Sequence, residues 1–247
     1  MFFTRETVAM DYDCDAAGRL KMSAAMKYMQ QTSGEHLDLL GLPYQKLYEE
    51  NMVFLLSKTC IKVLSMPVSG QKIILGTAPV ATQGARFIRE FVIDNAKGER
   101  MVSAFTMWLL VDPSTRRILR PANFPYEIPF QESAIDKNIK DIALPKSAPK
   151  KEDMVSEVAV KYSHIDCNNH VNNSMYADFV CDAVPMDKLL QKGLDTMVIS
   201  FHNEAKWGDI LDIHTSVIAS NEFYVRGQKG GDLCFEALAT LKTEEIM

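Results

Sequence analysis

Residues 164–173 read HIDCNNHVNN: two histidines, an aspartate, a cysteine and four asparagines within ten positions. A turn uses one or two such groups, so the surplus marks either an unusually polar loop or a reaction centre. The stretch offers a carboxylate at Asp166 as general base. It also offers an imidazole at His170 and the amide of Asn168 to orient a water or a carbonyl. If the stretch is extended, Cys167 alternates away from Asp166 and Asn168, which disfavours its thiol as a nucleophile. His164 and His170 beside Cys167 have a zinc-like look, but no second ligand pair with structural-site spacing follows, so no metal and no cofactor is expected. Asn172 and Asn173 suit the cap of the apolar helix that follows as well as contact with a substrate.

The elements that must carry this loop occur twice. DCDAAGRLKMS (13–23) and DCNNHVNNS (166–174) each follow a short strand-like segment and each open a helix. LLSKTCIKVLSMPVSGQKIILGT (55–77) matches MVISFHNEAKWGDILDIHT (197–215) at an offset of 138, which sets Gly70 on Gly208 and Thr77 on Thr215. KGERMVSA (97–104) resembles GGDLCFEA (230–237), each a glycine turn entering a strand. The recurring order of helix, strand, turn and strand indicates an internal duplication. Met22, Met26, Met29, Ser33, Leu37 and Leu40 form a helical stripe that Gly41-Leu42-Pro43 ends. KIILGTAPV, RFIREFVID, VSAFTMWLLVD, DILDIHTSVIA and LCFEALATL read as strands. Short glycine or Asp-Pro turns between them imply an antiparallel sheet, and the chain is therefore α+β with two related domains.

Half of the ten prolines lie between 121 and 149 in a polar stretch without sustained periodicity, the mark of a linker. The expected division is 1–120, a linker at 121–154, and 155–247. The 247 residues, 47% hydrophobic and 24% charged, suffice for two cores. A net charge of −5 argues against a general nucleic-acid or membrane-surface binder. An odd number of cysteines (five) without a CxxC pair, no signal sequence and no long apolar run point to reduced thiols in the cytoplasm.

DCNNHVNNSMYADF resembles the D-x-N-x-H-V-N-N-x-x-Y segment of acyl-acyl carrier protein thioesterases, the plant and bacterial enzymes that end fatty-acid synthesis. DYDCDAAGRLKMSAAMKYMQQTSGEH and GERMVSAFTMWLLVDPSTRRILRP are similar to their N-terminal domain, so the resemblance spans nearly the whole chain in order. It implies two tandem hot-dog domains, each a long helix wrapped by an antiparallel β-sheet. It places catalytic positions on Asp166, Asn168 and His170, and a further carboxylate on Glu204. Plant members often carry a cysteine after that glutamate; here the residue is Ala205, which excludes a cysteine mechanism at that position.

The chemistry is coherent in its own right. Thioester hydrolysis needs an activated water and donors for the developing oxyanion, and its thiolate leaves readily. Glu204 is the expected water activator, with Asp166 sharing that role or attacking directly; Asn168 and His170 orient water or carbonyl. A helix starting near Asn172 offers its free N–H groups as the oxyanion site. With one residue of slip, Arg19 takes the place of His170 and Asp15 that of Asn168, while Met66 replaces Glu204. The first half is thus expected to be catalytically silent and to shape the acyl pocket, with Met22, Met26 and Met29 as lining residues or as ordinary core. The expected partner is an acidic acyl carrier protein, docking on Arg116, Arg117 and Arg120, with Arg86 and Arg89 as further candidates that could instead form strand ion pairs. The chain is expected to be a monomer or a homodimer. Acyl-CoA as substrate, binding of acyl thioesters without turnover, and a hydratase or dehydratase on the same fold remain the alternatives.

Overall fold

The computed structural model of the chain describes residues 2–146, 149 and 153–243, with the backbone alone at 153–155. Residues 1, 147, 148, 150–152 and 244–247, which include part of the expected linker and both chain ends, lie outside the described residues. The chain divides into two compact units, Met1–Thr59 with Leu64–Lys140, and Cys60–Val63 with Asp141–Met247.

The first unit runs β1 (Phe3–Val8), α1 (Met22–Leu39), α2 (Tyr44–Glu49), β2 (Val53–Val63, of which Val53–Thr59 belongs here), β3 (Lys72–Gln83), β4 (Arg86–Asn95), β5 (Arg100–Val111), β6 (Ile118–Leu119) and α3 (Lys137–Asp141, of which all but Asp141 belongs here). Its strands lie in the order β1-β3-β4-β5-β2, with β6 on β5. The pairs β1·β3, β3·β4, β4·β5 and β5·β6 are antiparallel. Helix α1 buries Met22, Met26, Met29 and Ser33, as the stripe predicts. Leu37 and Leu40 are only half-buried, and Ala25, Thr32 and His36 complete the face. The helix stops where Gly41 turns left-handed (φ 72°), letting the N–H groups of Gly41 and Leu42 close on the carbonyls of Asp38 and Leu37 at 3.0 and 2.9 Å.

From Pro121 to Lys140 the proline-rich stretch belongs to this unit. Phe124, Tyr126 and Ile128 pack on a cluster of Leu42, Leu47, Met52, Phe87 and Leu110. Farther on, the fully buried Glu90 carboxylate accepts Ser133 Oγ at 2.7 Å and the Ala134 N–H at 3.0 Å, and pairs with Lys140 Nζ at 2.9 Å.

The second unit runs β7 (Asp153–Ala159), α4 (Met175–Asp182), α5 (Met186–Lys192), β8 (Leu194–Phe201), β9 (Ile210–Ala219), β10 (Glu222–Lys229) and β11 (Asp232–Leu241), with strand order β8-β11-β10-β9-β7. All four pairs are antiparallel. Its helical layer is shorter than the one long helix expected. Helix α4 ends at Asp182, and Pro185, which lacks a backbone donor, restarts the chain as α5.

Both units share one backbone framework. The Leu20 N–H reaches Pro67 O in the first and the Val171 N–H reaches Ala205 O in the second, each at 2.8 Å. Ala9 N–H to Gln71 O corresponds to Val160 N–H to Asp209 O, and Lys21 N–H to Asp13 O corresponds to Asn172 N–H to His164 O. These matches keep the offset of 138 in the strands and support duplication.

An uncharged imidazole and a buried guanidinium sit under α1. Arg89 is 8% exposed, and its NH1 reaches His36 Nδ1 at 3.1 Å and Thr77 Oγ1 at 3.2 Å. Since guanidinium only donates, His36 accepts and carries its proton on Nε2. Burial, aided by the charge of Arg89, lowers the His36 pKa to about 4. The unfolded chain therefore binds the extra proton between pH 6.5 and about 4, so this contribution to stability is complete above pH 6.5 and lost on acidification through that window. Urea midpoints compared from pH 7 to 4.5 are expected to fall less steeply in His36→Gln than in the parent chain.

Candidate active site

A 3-10 turn at Tyr162–His164 and a bridge between Ile165 and Val171 close the HIDCNNHVNN loop at its base. Inside, Asp166 N–H donates to His170 O at 2.9 Å and Asn169 N–H to Asp166 O at 3.0 Å. The corner is Asn169, left-handed at φ 62°, a conformation asparagine tolerates better than most residues. Asp166 Oδ1 accepts the Asn168 N–H at 2.9 Å, and Asp166 Oδ2 lies 3.5 Å from Asn172 Nδ2.

Glu204 arrives from the connection between β8 and β9. His202 N–H donates to Cys234 O at 2.9 Å and Asn203 Nδ2 to Leu233 O at 2.8 Å, which lays the segment along β11. Lys229 Nζ donates to Glu204 O at 3.3 Å and to Asp209 Oδ2 at 3.0 Å. The hydrogen bond to Asp209 pushes the Lys229 ammonium pKa up. The Val171 N–H, bonded to Ala205 O, stitches this connection to the polar loop. As a result His170 Nε2 and Glu204 Oε2 stand 3.1 Å apart, with side chains 26% and 31% exposed. A carboxylate on an imidazole nitrogen fixes the ring's orientation and lets the pair share a proton.

The other expected residues are placed differently. Asn168 is exposed, and its side-chain amide has no hydrogen-bond partner among the described residues; its backbone N–H serves Asp166. Asn172 acts at the helix start: its Oδ1 accepts Ser174 N–H at 2.9 Å and Ser174 Oγ at 2.7 Å. The helix itself begins at Met175, three residues later than expected, because Asn172 and Ser174 are spent on this turn. Asn173 is half-buried. Cys167 is exposed on the loop. His164 takes no part in the pair: its Nδ1 accepts Lys161 N–H at 3.3 Å and its ring meets Phe179 edge-on.

In the first unit Met22, Met26 and Met29 are buried on α1. Arg116, Arg117 and Arg120 are exposed around the turn after β5, where Arg116 is left-handed at φ 57°. Arg89, named beside them as a docking candidate, is buried against His36 and Thr77 and presents no surface to a partner.

The first-unit loop also corrects one equivalence. Asp15 N–H donates to Arg19 O and Asp15 Oδ1 accepts the Ala17 N–H, with Gly18 at φ 73° as the left-handed corner. Asp15 therefore stands where Asp166 does, not Asn168, because the left-handed residue sets the register of the loop. Arg19 does hold the place of His170, and its NH2 pairs with Asp15 Oδ2 at 3.2 Å. Met66, next to Pro67, holds the place of Glu204.

Two residues near the pair carried no separate signal in the sequence. Tyr176 closes the quoted motif but reads only as part of an apolar helix. Lys229 ends β10, a strand whose apolar run is just Phe223-Tyr224-Val225.

A helix laid on an antiparallel sheet, twice in one chain, defines a double hot-dog protein. The same fold is seen in an acyl-ACP thioesterase from Bacteroides thetaiotaomicron (TM-score 0.87, 23% identity, 98% of each chain). It is seen again in the 12:0-ACP thioesterase from Umbellularia californica (TM-score 0.87, 18% identity, 98% of this chain and 97% of that one). The acyl-ACP thioesterase N-terminal domain model matches residues 2–128 and the C-terminal domain model residues 147–232. The chain belongs to the acyl-ACP thioesterase family. Among curated relatives it is 23% identical to the chloroplastic acyl-[acyl-carrier-protein] hydrolase FATB2 of Cuphea viscosissima, over 94% of this chain and 61% of that protein. It is 22% identical to a chloroplastic palmitoyl-acyl carrier protein thioesterase of Cuphea hookeriana, over 94% and 60%. The chain thus spans about three fifths of these relatives' length.

Because Asn172 shapes the start of α4, Asn172→Ala is expected to cost about 1 kcal/mol of stability. Urea unfolding followed by circular dichroism measures it.

Proposed function

We propose that the chain hydrolyses acyl-acyl carrier protein to free fatty acid and holo-carrier protein in fatty-acid biosynthesis, acting in the cytoplasm without a metal or cofactor. The observation that carries this reading is the 3.1 Å pair of His170 and Glu204 in the second unit, set against Arg19 and Met66 at the same places in the first. Family membership supplies the substrate class, and the names of the curated relatives favour the carrier-protein thioester.

In this mechanism Glu204 takes the proton of a water as it attacks the thioester carbonyl. His170 holds the carboxylate in place and shares its charge. Asp166, whose Oδ1 is occupied by the Asn168 N–H, organises the loop, which favours Glu204 over Asp166 as the base. Asn168, with its side chain open to solvent, and Asn172 and Asn173 before α4 contact the thioester, and the N-terminal end of α4 stabilises the oxyanion. Residues 1–120 form the silent domain, whose α1 methionines offer an adaptable apolar surface to an acyl chain. Residues 121–154 connect it to the catalytic domain at 155–247. The exposed Arg116, Arg117 and Arg120 attract the acidic carrier protein.

Free-thiol release from matched acyl-carrier-protein and acyl-CoA panels, with a chelator present, tests the reading. Carrier-protein turnover that survives chelation is expected, falling about 10²–10⁴-fold in Glu204→Gln. Asp166→Asn is expected to fall as well, through disorder of the loop. A preference for CoA would change the substrate, and tight binding of both panels without thiol release would overturn hydrolysis.

A further inference from the structure

We infer that Tyr176 is a positioning residue that holds the Glu204–Ala205 peptide against the His170 loop, with Lys229 securing the same segment from β10. The inference rests on the hydrolase reading above for its kinetic consequence.

Tyr176 is 3% exposed on α4. Its ring meets Phe179, Phe201 and Phe235 edge-on, at centroid distances of 5.8, 5.6 and 5.1 Å. Phe201 is the last residue of β8 and Glu204 follows it by three, so the ring braces the strand end from which the carboxylate departs. The Tyr176 hydroxyl faces the backbone N–H of Ala205. Burial raises the pKa of this phenol, so it stays protonated at neutral pH and offers both a donor and an acceptor. On the other sides of the same two residues, Lys229 Nζ holds Glu204 O at 3.3 Å and the Val171 N–H holds Ala205 O at 2.8 Å. The peptide groups flanking Ala205 are thus approached from a helix, a strand and the polar loop. The Glu204 side chain is left to reach His170 at 3.1 Å.

The first unit separates a structural need from a functional one. It makes the same crossing, Leu20 N–H to Pro67 O, without the rest of the clamp. Ala25 stands where Tyr176 does, a register set by the equivalence of Asp13 and Tyr28, which hydrogen-bond at 2.7 Å, with His164 and Phe179, which meet edge-on. Pro67 stands at Ala205 and has no N–H to present to a phenol. The strand registers put Asn95 at Lys229, and the backbone matches put Gln71 at Asp209. The loop crossing therefore folds without a phenol, an amide donor or an ammonium. All three occur only in the unit where position 204 is a glutamate.

Tyr176→Phe keeps the ring and removes the hydroxyl. The expected result is a kcat about tenfold lower with KM within about twofold and a nearly unchanged melting midpoint. Lys229→Met is expected to act in the same direction. In a Glu204→Gln background Tyr176→Phe is expected to cost nothing further, since a residue acting through Glu204 has nothing left to position. An unchanged kcat in Tyr176→Phe, or an equal loss in the Glu204→Gln background, would overturn the inference. A crystal structure of Tyr176→Phe gives a readout independent of turnover: the Glu204 carboxylate is expected to draw away from His170, and an intact contact would overturn the inference. A parent chain inactive on every thioester would instead remove the hydrolase reading and leave this structural comparison to decide the positioning claim.

Discussion

A carboxylate held against an imidazole is the contact on which this structure turns. His170 belongs to a loop closed by its own hydrogen bonds, and Glu204 to a connection lying along β11. Neither segment can bring its side chain to the other alone. Their meeting at 3.1 Å is supported by the backbone bond from the Val171 N–H to Ala205 O, which fixes the two segments together, and by Lys229 Nζ on Glu204 O. A hydrogen bond to a charged group contributes about 1.5–3 kcal/mol at most. Its value here is geometric: the contact fixes where the carboxylate and the imidazole stand relative to one another.

The duplicated framework shows how much of the second unit is scaffold and how much is site. Both units share the 3-10 turn, the left-handed corner and the crossing bond, so these features build the loop. What differs is chemical. Arginine cannot give up its proton under ordinary conditions, and in the first unit Arg19 closes on Asp15 as an ion pair. Met66, at the place of Glu204, brings no carboxylate to that guanidinium. One fold thus holds an arginine–carboxylate pair within the loop of the first half and an imidazole–carboxylate contact between two segments in the second.

Much of this was legible in the sequence. The Met22, Met26, Met29 and Ser33 stripe is the buried face of α1, and the five apolar runs read as strands are strands. The offset between the halves survives as matched hydrogen bonds. Other features were hidden for physical reasons. β10 carries a glycine at 227 because a Cβ there would come within 2.2 Å of Phe235 Cε1, and that glycine breaks the apolar pattern. Arg89 has the look of a surface cation, yet it lies inside, supported by a histidine near the far end of α1 that sequence spacing alone does not connect to it. The sequence sets Asp15 on Asn168 instead of Asp166 because the left-handed corner is a glycine in one loop and an asparagine in the other. The proline-rich stretch lacks periodicity because single residues anchor it, among them Phe124 and Ser133.

The central claim is that His170 and Glu204 act as one unit, and a double-mutant cycle on kcat/KM tests it most directly. The variants are His170→Ala, Glu204→Gln and the pair combined, assayed on one acyl-carrier-protein substrate. If the two side chains work through their contact, the combined variant is expected to be no more than about tenfold worse than the weaker single variant, because the second substitution removes nothing that the first has left. Losses that multiply in full would show two groups acting independently and would contradict the account.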